Sequence, residues 1–426
     1  MKWSSARASR ACLLVATLAA PAAFAAEPAP PLTLRQAVDA AMASNPELQT
    51  FSFEFRALDA RARQATLRPA PELSVTAENL LGSGETRGLD AAELTFALSQ
   101  VIELGGKRDA RIDAAKAGRS VADVERQARQ LDVLAEVTRR FIGVATRQQQ
   151  VQLAANAVKL AGETVSGSEK RVNAAKSPHA EFDRAKIALD RARLEQRQAE
   201  IQLDTARRQL AATWGESQAV IGGQAFGAVA ADLFTLPEPG DYDALVSRLA
   251  QGPDFLRFAS EARLRDAELR LAATARKPDV TIGAGVRRLE SSDDQAFVAS
   301  FSLPLFSARR SESLVAEAQA SRDLVDAQQR IAMVKAKTML YELYRELGSE
   351  VLEAQTLRND ILPRAEEALK ETEYAYQRGR YSYLEWVDAQ REYLALQADL
   401  IEASSKAQAL RVEIERLTHA PLADAR

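Results

Sequence analysis

No proline occurs between Gly106 and Ala175, and that stretch of 70 residues is rich in Ala, Arg, Gln, Glu and Leu. Proline is the residue a helix interior accommodates worst, so nothing in the chain interrupts a helix here. At 1.5 Å per residue the segment would make a rod of roughly 105 Å, several times the length of an ordinary globular helix. A straight rod of that length cannot bury its own apolar stripe, so other elements must lie along it. The chain is therefore expected to be long and mainly helical.

A different periodicity leads into the rod. Leu94, Phe96 and Leu98 alternate with Thr95, Ala97 and Ser99, and the chain then passes through Gln100 to Arg108 directly into the helical segment. Upstream, Leu73 and Val75 alternate with Ser74 and Thr76, across a loop holding Gly82, Gly84 and Gly88. Each run is about 10 residues, the length a tilted strand needs to cross a bilayer. Together they predict a hairpin with one apolar face. A strand with a greasy face that hands over to a helix without a domain boundary suggests a membrane barrel feeding a helical tube. Composition hides this, because a charged fraction of 27% and a net charge of −3 also suit a water-soluble protein of two or three domains.

The pattern occurs twice. Ser44-Asn45-Pro46-Glu47-Leu48 is echoed by Gln251-Gly252-Pro253-Asp254-Phe255, and Pro71-Glu72-Leu73 by Pro278-Asp279-Val280. Both proline pairs give the same shift of 207 residues (253 − 46 and 278 − 71). The expected organisation is a first repeat over 32–214, with a hairpin at about 72–103 and helices at about 106–175 and 181–214. A Gly/Pro-interrupted connector at 215–240 follows, expected around the outside of the tube. The second repeat is expected over 241–418, with a hairpin at about 279–306, helices at about 308–376 and 383–417, and a tail at 419–426. Within these repeats, Thr33 with Gln36 predicts a capping box, Pro46 a helix boundary at Asn45, and Pro363 a bend in the second rod.

The N-terminus has the layout of a secretory signal over 1–25: Lys2, Arg7 and Arg10, an apolar run from Ala11 to Ala20, then Ala23-Phe24-Ala25. The apolar run is about half the roughly 20 residues that a membrane span requires. An Ala/Pro/Glu linker at 26–31 leads on to the first repeat, and the only cysteine, Cys12, falls inside the signal. The mature chain is expected to carry no thiol and no disulfide.

The apolar strand positions Leu73, Val75, Leu94, Phe96, Leu98, Val280, Ile282, Phe297, Phe301 and Leu303 are the candidates for a lipid-facing surface. The return helix has two seams. Ala185, Leu189, Ala192, Ala199, Leu203, Ala206 and Leu210 follow a heptad, while Ile187, Leu194 and Ile201 repeat every seven residues on nearly the opposite side. One seam would make a two-stranded coiled coil. Two opposed seams make a stave in a closed ring of helices.

The order of a capped helix ending in Asn45-Pro46, a hairpin, the Gln100 to Arg108 run and a long helix, all repeated once, resembles the TolC-like outer-membrane efflux proteins over essentially the whole mature chain. Val101-Ile102-Glu103-Leu104-Gly105-Gly106-Lys107-Arg108 with Arg111 is most similar to the cobalt-zinc-cadmium branch of that family. The resemblance implies a mainly α protein with membrane β, a homotrimer whose copies share one 12-stranded β-barrel continued by a periplasmic α-helical barrel. It implies an exit duct in the outer membrane of a Gram-negative bacterium. The expected partners are outer-membrane lipid, a periplasmic adaptor (membrane fusion) protein and an inner-membrane RND pump, and the expected cargo is divalent cobalt, zinc or cadmium. Elementary physics agrees with the trimer, since four strands can neither close a barrel nor cover their edges in lipid.

By the same resemblance, the turns between long and return helices are periplasmic tips. Glu385 and Asp388, one helical turn apart after Gly379-Arg380-Tyr381-Ser382, match positions where the family carries an acidic ring at a closed gate, and Tyr376 joins them as a candidate gate residue. Spacing alone equally describes two acids on a solvated helix face. Gly379, Arg380, Ser382, Lys176 and Ser177 are candidate adaptor contacts, with plain turn chemistry as the other reading of each. The first tip, Ser177-Pro178-His179, lacks the glycine of the second.

Catalysis has no foothold. Gly105-Gly106-Lys107-Arg108 lacks the earlier glycine and the following Ser or Thr of a phosphate loop, and His179 and His419 stand far apart with no cysteine or second histidine near either. No catalytic, cofactor or metal residue is expected, nor any nucleic-acid partner. Two alternatives stay open: a duct for drugs or secreted proteins, and a periplasmic coiled-coil adaptor or scaffold. A scaffold would share the rods but would have no use for strands of bilayer-spanning length.

Overall fold

The computed structural model describes residues 30–419. The expected signal segment at 1–25, most of the linker at 26–31 and the tail beyond His419 lie outside the described residues.

Helix α1 (Leu34–Ser44) starts in a capping box, with the Thr33 hydroxyl accepting from the Gln36 amide and the Gln36 side chain accepting from the Thr33 amide. Pro46 lacks the N–H that would extend α1, so the chain breaks at Asn45. The Asn45 side chain then accepts from the amides of Glu47 and Leu48 and starts α2 (Pro46–Ala65). Strands β1 (Glu72–Glu78) and β2 (Glu93–Ile102) follow. They lead into α3 (Lys107–Asn173), a single helix of 67 residues, and α4 (His179–Ala212) returns alongside it. The connector contains a short ribbon, β3 (Val220–Ile221) and β4 (Gln224–Ala225), and then α5 (Tyr242–Leu249).

The second set is α6 (Pro253–Thr274), β5 (Val280–Leu289), β6 (Asp294–Ser302), the short α7 (Ser307–Arg310), α8 (Glu312–Thr356), α9 (Leu362–Gln377) and α10 (Tyr383–Thr418). The rod expected over 308–376 is interrupted by one turn of π-helix at Leu357–Ile361. Pro363 is the cause: it has no N–H to give, and its ring would collide with the carbonyl of Asn359 unless the backbone ladder widened there.

All four long strands form one antiparallel sheet in the order β1-β2-β5-β6. Leu73 pairs with Leu98, Phe96 with Val286, Val286 with Phe297 and Ile282 with Phe301. Directly paired residues share a face of the pleat, so the nine strand candidates from Leu73 to Phe301 all lie on one side of the sheet. Leu303 keeps their parity but sits one residue beyond the end of β6. This apolar side is bare: Phe297 is 94% exposed and Leu73 70%. The other side carries small and polar residues, among them Ser74, Thr76, Ser99, Gly283 and Ser300. Gly285 is required by its neighbour, because a Cβ there would run into the Phe96 carbonyl oxygen. Among the described residues, the outer edges of β1 and β6 have no partner strand.

Two helices, α3 and the α8/α9 rod, run the length of the molecule, and the others share that length in pairs. On the strand side α3 packs against α2 and α6, with α6 also on α8. On the far side α3 packs against α4 and α10, with α10 also on α8 and α9. Midway, α2 therefore begins where α4 ends, and α6 begins where α10 ends. At the first joint the Asn45 side-chain amide donates to the Thr213 carbonyl at 2.8 Å. At the second, Gly252 stands in the place of Asn45, and the His419 ring fills the space where a Cβ would be. The two repeats close the same gap from opposite sides.

Apolar packing is concentrated around these joints. Trp214, Phe226, Val229 and Leu32 close over Phe141, Val144 and Leu210 at the first, and Leu249, Phe255 and Phe258 over Leu340, Leu347 and Leu410 at the second. No helix among the described residues is long and apolar enough to cross a membrane.

Candidate functional site

Two places gather the residues that the sequence singles out: the corner where β2 becomes α3, and the far tips of the helices.

At the corner Gly105 and Gly106 take the left-handed φ values of +81° and +76° that turn the strand into the rod. Arg111, one turn inside α3, grips the Glu103 carboxylate with both terminal nitrogens, the longer contact being 3.1 Å, and also donates to the Leu67 carbonyl at 3.2 Å. The Lys107 ammonium lies 2.7 Å from Asp279, whose carboxylate also accepts from the Leu104 amide at 3.2 Å. Arg108 donates to the Thr66 carbonyl and Gln100 to that of Pro69, both at 2.7 Å. The hydrogen bond from Arg111 holds the Glu103 carboxyl below the usual carboxylate range, against the opposing effect of burial. The run from Gln100 to Arg111 is thus a welded corner, fixing the angle of the sheet on the rod and tying the first hairpin to the second through Asp279.

At the tips, Tyr376 is 1% exposed and sits in the packing between α9 and α10 rather than on a surface. It stacks on Trp386 with centroids 4.7 Å apart, and the Arg171 guanidinium from α3 lies 4.7 Å above its ring. Arg171 also donates to the Tyr376 carbonyl at 2.8 Å and to the Ser177 hydroxyl at 3.0 Å, so a single side chain ties the two tips together. Burial raises the Tyr376 and Tyr383 phenols above their ordinary range, and the Tyr376 hydroxyl, the Trp386 indole nitrogen and one Glu181 oxygen have no hydrogen-bond partner among the described residues.

Gly379 adopts φ +74° and closes the turn, with its own amide and that of Arg380 donating to the Tyr376 and Ala375 carbonyls. Ser382 caps α10, its hydroxyl accepting from the Glu385 amide at 3.3 Å while the Glu385 carboxylate accepts from the Ser382 amide at 2.6 Å. The bond from the Ser382 amide lowers the Glu385 carboxyl below its usual range. Lys176 and Arg380 are exposed at the turn ends. Glu385 and Asp388 are exposed too, on one wall of a groove of about 830 Å³ whose opposite wall, from α4, carries Arg184, Arg191 and Glu195. In one copy the candidate gate acids therefore face arginines across the groove, and Tyr376 is separated from them by its burial.

Arg171 and Trp386, the two residues that lock Tyr376, did not stand out in the sequence, because a lone Arg or Trp on a helix has no distinguishing spacing. Asp279 was visible only as the counterpart of Glu72 in the repeat. Among the described residues no group of three or more His, Cys, Asp or Glu is arranged to hold a metal ion.

The profile of the outer membrane efflux protein family matches residues 37–216 and again residues 244–418, two stretches that begin 207 residues apart (244 − 37). The chain is 28% identical to the cobalt-zinc-cadmium resistance protein CzcC of Cupriavidus metallidurans, over 86% of this chain and 85% of that protein. In three dimensions it is similar to a membrane protein from Pseudomonas aeruginosa, with a TM-score of 0.73 and 21% identity over 90% of each chain. It is equally similar in fold to the outer-membrane channel OprN, with a TM-score of 0.73 and 18% identity over 90% of this chain and 89% of that one.

Proposed function

This chain belongs to the outer membrane efflux protein family, and from that premise we propose that it is the exit duct of a tripartite RND-type efflux system, carrying divalent heavy-metal cations across the outer membrane. It is a channel, not an enzyme. Three copies share one 12-stranded barrel embedded by its apolar face in outer-membrane lipid, and a helical barrel continues from it through the periplasm. A periplasmic adaptor and an inner-membrane pump supply cargo and energy. Residues 1–25 direct export and are removed, and the repeats at 32–214 and 241–418 each contribute one hairpin and one pair of long helices.

One observation carries the reading: a four-stranded sheet with two unpaired edges and a bare apolar face is fused to a full-length helical rod. Left alone in water or lipid, such a sheet would leave its edge N–H and C=O groups open, at a cost of several kcal/mol for each unsatisfied group in hydrocarbon. In the order β1-β2-β5-β6 the outer strands run antiparallel, so β6 of one copy can pair with β1 of the next, and the ring closes at three. The exposed area agrees. The chain presents 27571 Å², whereas a compact monomer of 426 residues would present roughly 16,000 Å², and the undescribed ends are too short to supply the excess.

The helices support the same kind of closure. The α4 seam of Ile187, Leu194 and Ile201 is exposed, Ile187 at 63% and Ile201 at 67%. The α8 rod likewise exposes Leu324, Ile331, Val334, Tyr341 and Leu352. These are the two outer staves of one copy, and joining α4 of one to α8 of the next buries both seams.

Metal cargo is supported by the likeness to a cobalt-zinc-cadmium resistance protein. A duct needs no tight ligand set, since strong binding would slow release. A strain lacking this gene is expected to become sensitive to cobalt, zinc and cadmium and to keep its tolerance of organic drugs, with metal tolerance restored by the intact gene. Sensitivity to drugs alone would overturn the cargo.

A further inference from the structure

We propose that Arg287 sets the ion selectivity of the duct at its outer mouth, acting as a fixed brake on a row of carboxylates; this rests on the reading above that the polar face of the sheet lines the pore. The strand register orders that face into rows. Furthest from the helices, Glu78, Glu93, Leu289 and Asp294 lie side by side across the four strands. The next row is Thr76, Thr95, Arg287 and Ala296, and below it come Ser74, Ala97, Gly285 and Val298. Below those rows the strands of this face carry mostly small side chains, with Glu72, in the row of Ser99, Gly283 and Ser300 nearer the helices, as the one further charge.

Glu78 and Glu93 are direct cross-strand partners, an arrangement that is destabilising for like charges. Arg287 resolves it from the row below. Its guanidinium donates to Glu93 at 2.6 Å, lies 3.3 Å from Glu78, and is anchored by a 3.0 Å bond to the hydroxyl of the buried Thr95. Asn79 donates to the second Glu93 oxygen at 3.1 Å. Asp294 completes the acidic row and makes no ion pair among the described residues.

Each copy therefore presents three carboxylates and one guanidinium on these two rows, and three copies would make a net negative collar. Such a collar favours cations over anions. Arg287 keeps two of the three carboxylates from closing on a passing divalent ion, because one oxygen of each already faces its guanidinium. The collar attracts cargo without holding it.

The test is single-channel recording of the purified trimer in planar bilayers under a salt gradient, comparing wild type with Arg287→Gln, Arg287→Lys and Glu93→Gln. Arg287→Gln is expected to raise the cation-to-anion permeability ratio by about threefold and to make the current susceptible to block by millimolar cobalt. Arg287→Lys keeps the wild-type ratio, and Glu93→Gln, which leaves the arginine in place, lowers it. Pores that conduct normally while Arg287→Gln and Glu93→Gln leave both ratio and block unchanged overturn this inference alone. A wild-type protein that forms no conducting pore overturns the duct as well.

Discussion

Arg416, near the end of α10, holds Asp254, at the start of α6, with two of its nitrogens at 2.7 and 3.4 Å, and its third nitrogen reaches Asp132 on α3 at 2.6 Å. Asp132 lies 3.6 Å from Arg129, which lies 3.6 Å from Glu47 at the start of α2. One chain of alternating charge thus joins the helix starts of both repeats at the level where the half-length helices meet end to end. Arg416 is its most enclosed member, with the side chain 16% exposed. Arg416→Gln leaves Asp254 without its arginine and Asp132 with only Arg129, and is expected to destabilise the protein by about 2 kcal/mol, discounted for the partial exposure of the acids. Thermal melting of the detergent-extracted protein reads this, and an unchanged midpoint would remove the chain of charge from the account.

The second joint is sensitive to acid. Burial pushes the His419 imidazole below its ordinary 6.5, against the pull of Asp254 and with the help of Arg416. A lowered value means that the folded joint favours the neutral ring, so its contribution is whole above about pH 6.5 and is lost as pH falls through the lowered value. Melting curves between about pH 8 and about pH 5 should show a loss of stability on acidification that His419→Asn lacks. Identical pH profiles would contradict the placement of His419 against Gly252.

The corner clamp predicts coupling. Arg111→Gln leaves the Glu103 carboxylate, 13% exposed, without its bidentate partner and should cost about 2–3 kcal/mol. Glu103→Gln should cost less, because an amide can still accept from Arg111. The double variant should cost clearly less than the sum, with a coupling of about 1–2 kcal/mol by a double-mutant cycle. Additive losses would mean that the two residues stabilise the corner independently.

At the tip, Tyr376→Phe removes a hydroxyl that has no partner among the described residues and should leave stability and conductance within about 0.5 kcal/mol and experimental scatter of wild type. Tyr376→Ala opens a cavity beside Trp386 and Arg171, should cost about 3–4 kcal/mol, and should raise the resting conductance. Replacing Glu385 and Asp388 together by Gln and Asn should weaken cation preference if those acids face the pore; unchanged selectivity would assign them to the α10 cap and the groove opposite Arg184.

Much of the architecture could be read from the sequence because the chain states it twice. The proline-free run from Gly106 to Ala175 predicts α3 to within two residues at each end, and Pro46 and Pro363 mark the first helix break and the turn of π-helix. Alternation in the strands gives the apolar face, since a pleat leaves no freedom in which residues share a side. The tip was less legible. Tyr376 was a gate candidate by resemblance alone, and its burial depends on Arg171, 205 positions away, and on the Trp386 ring. The Glu103-to-Arg111 run stood out as a mark of resemblance, while its role as a corner clamp depends on Leu67 and Asp279, which only the fold brings near.

Native mass spectrometry of the protein extracted from outer membranes in mild detergent tests the central claim most directly. The account predicts a single species of three copies that stays membrane-bound until detergent is added. A stable single copy in detergent-free buffer, with Phe297 and Leu73 covered by its own chain, would contradict it.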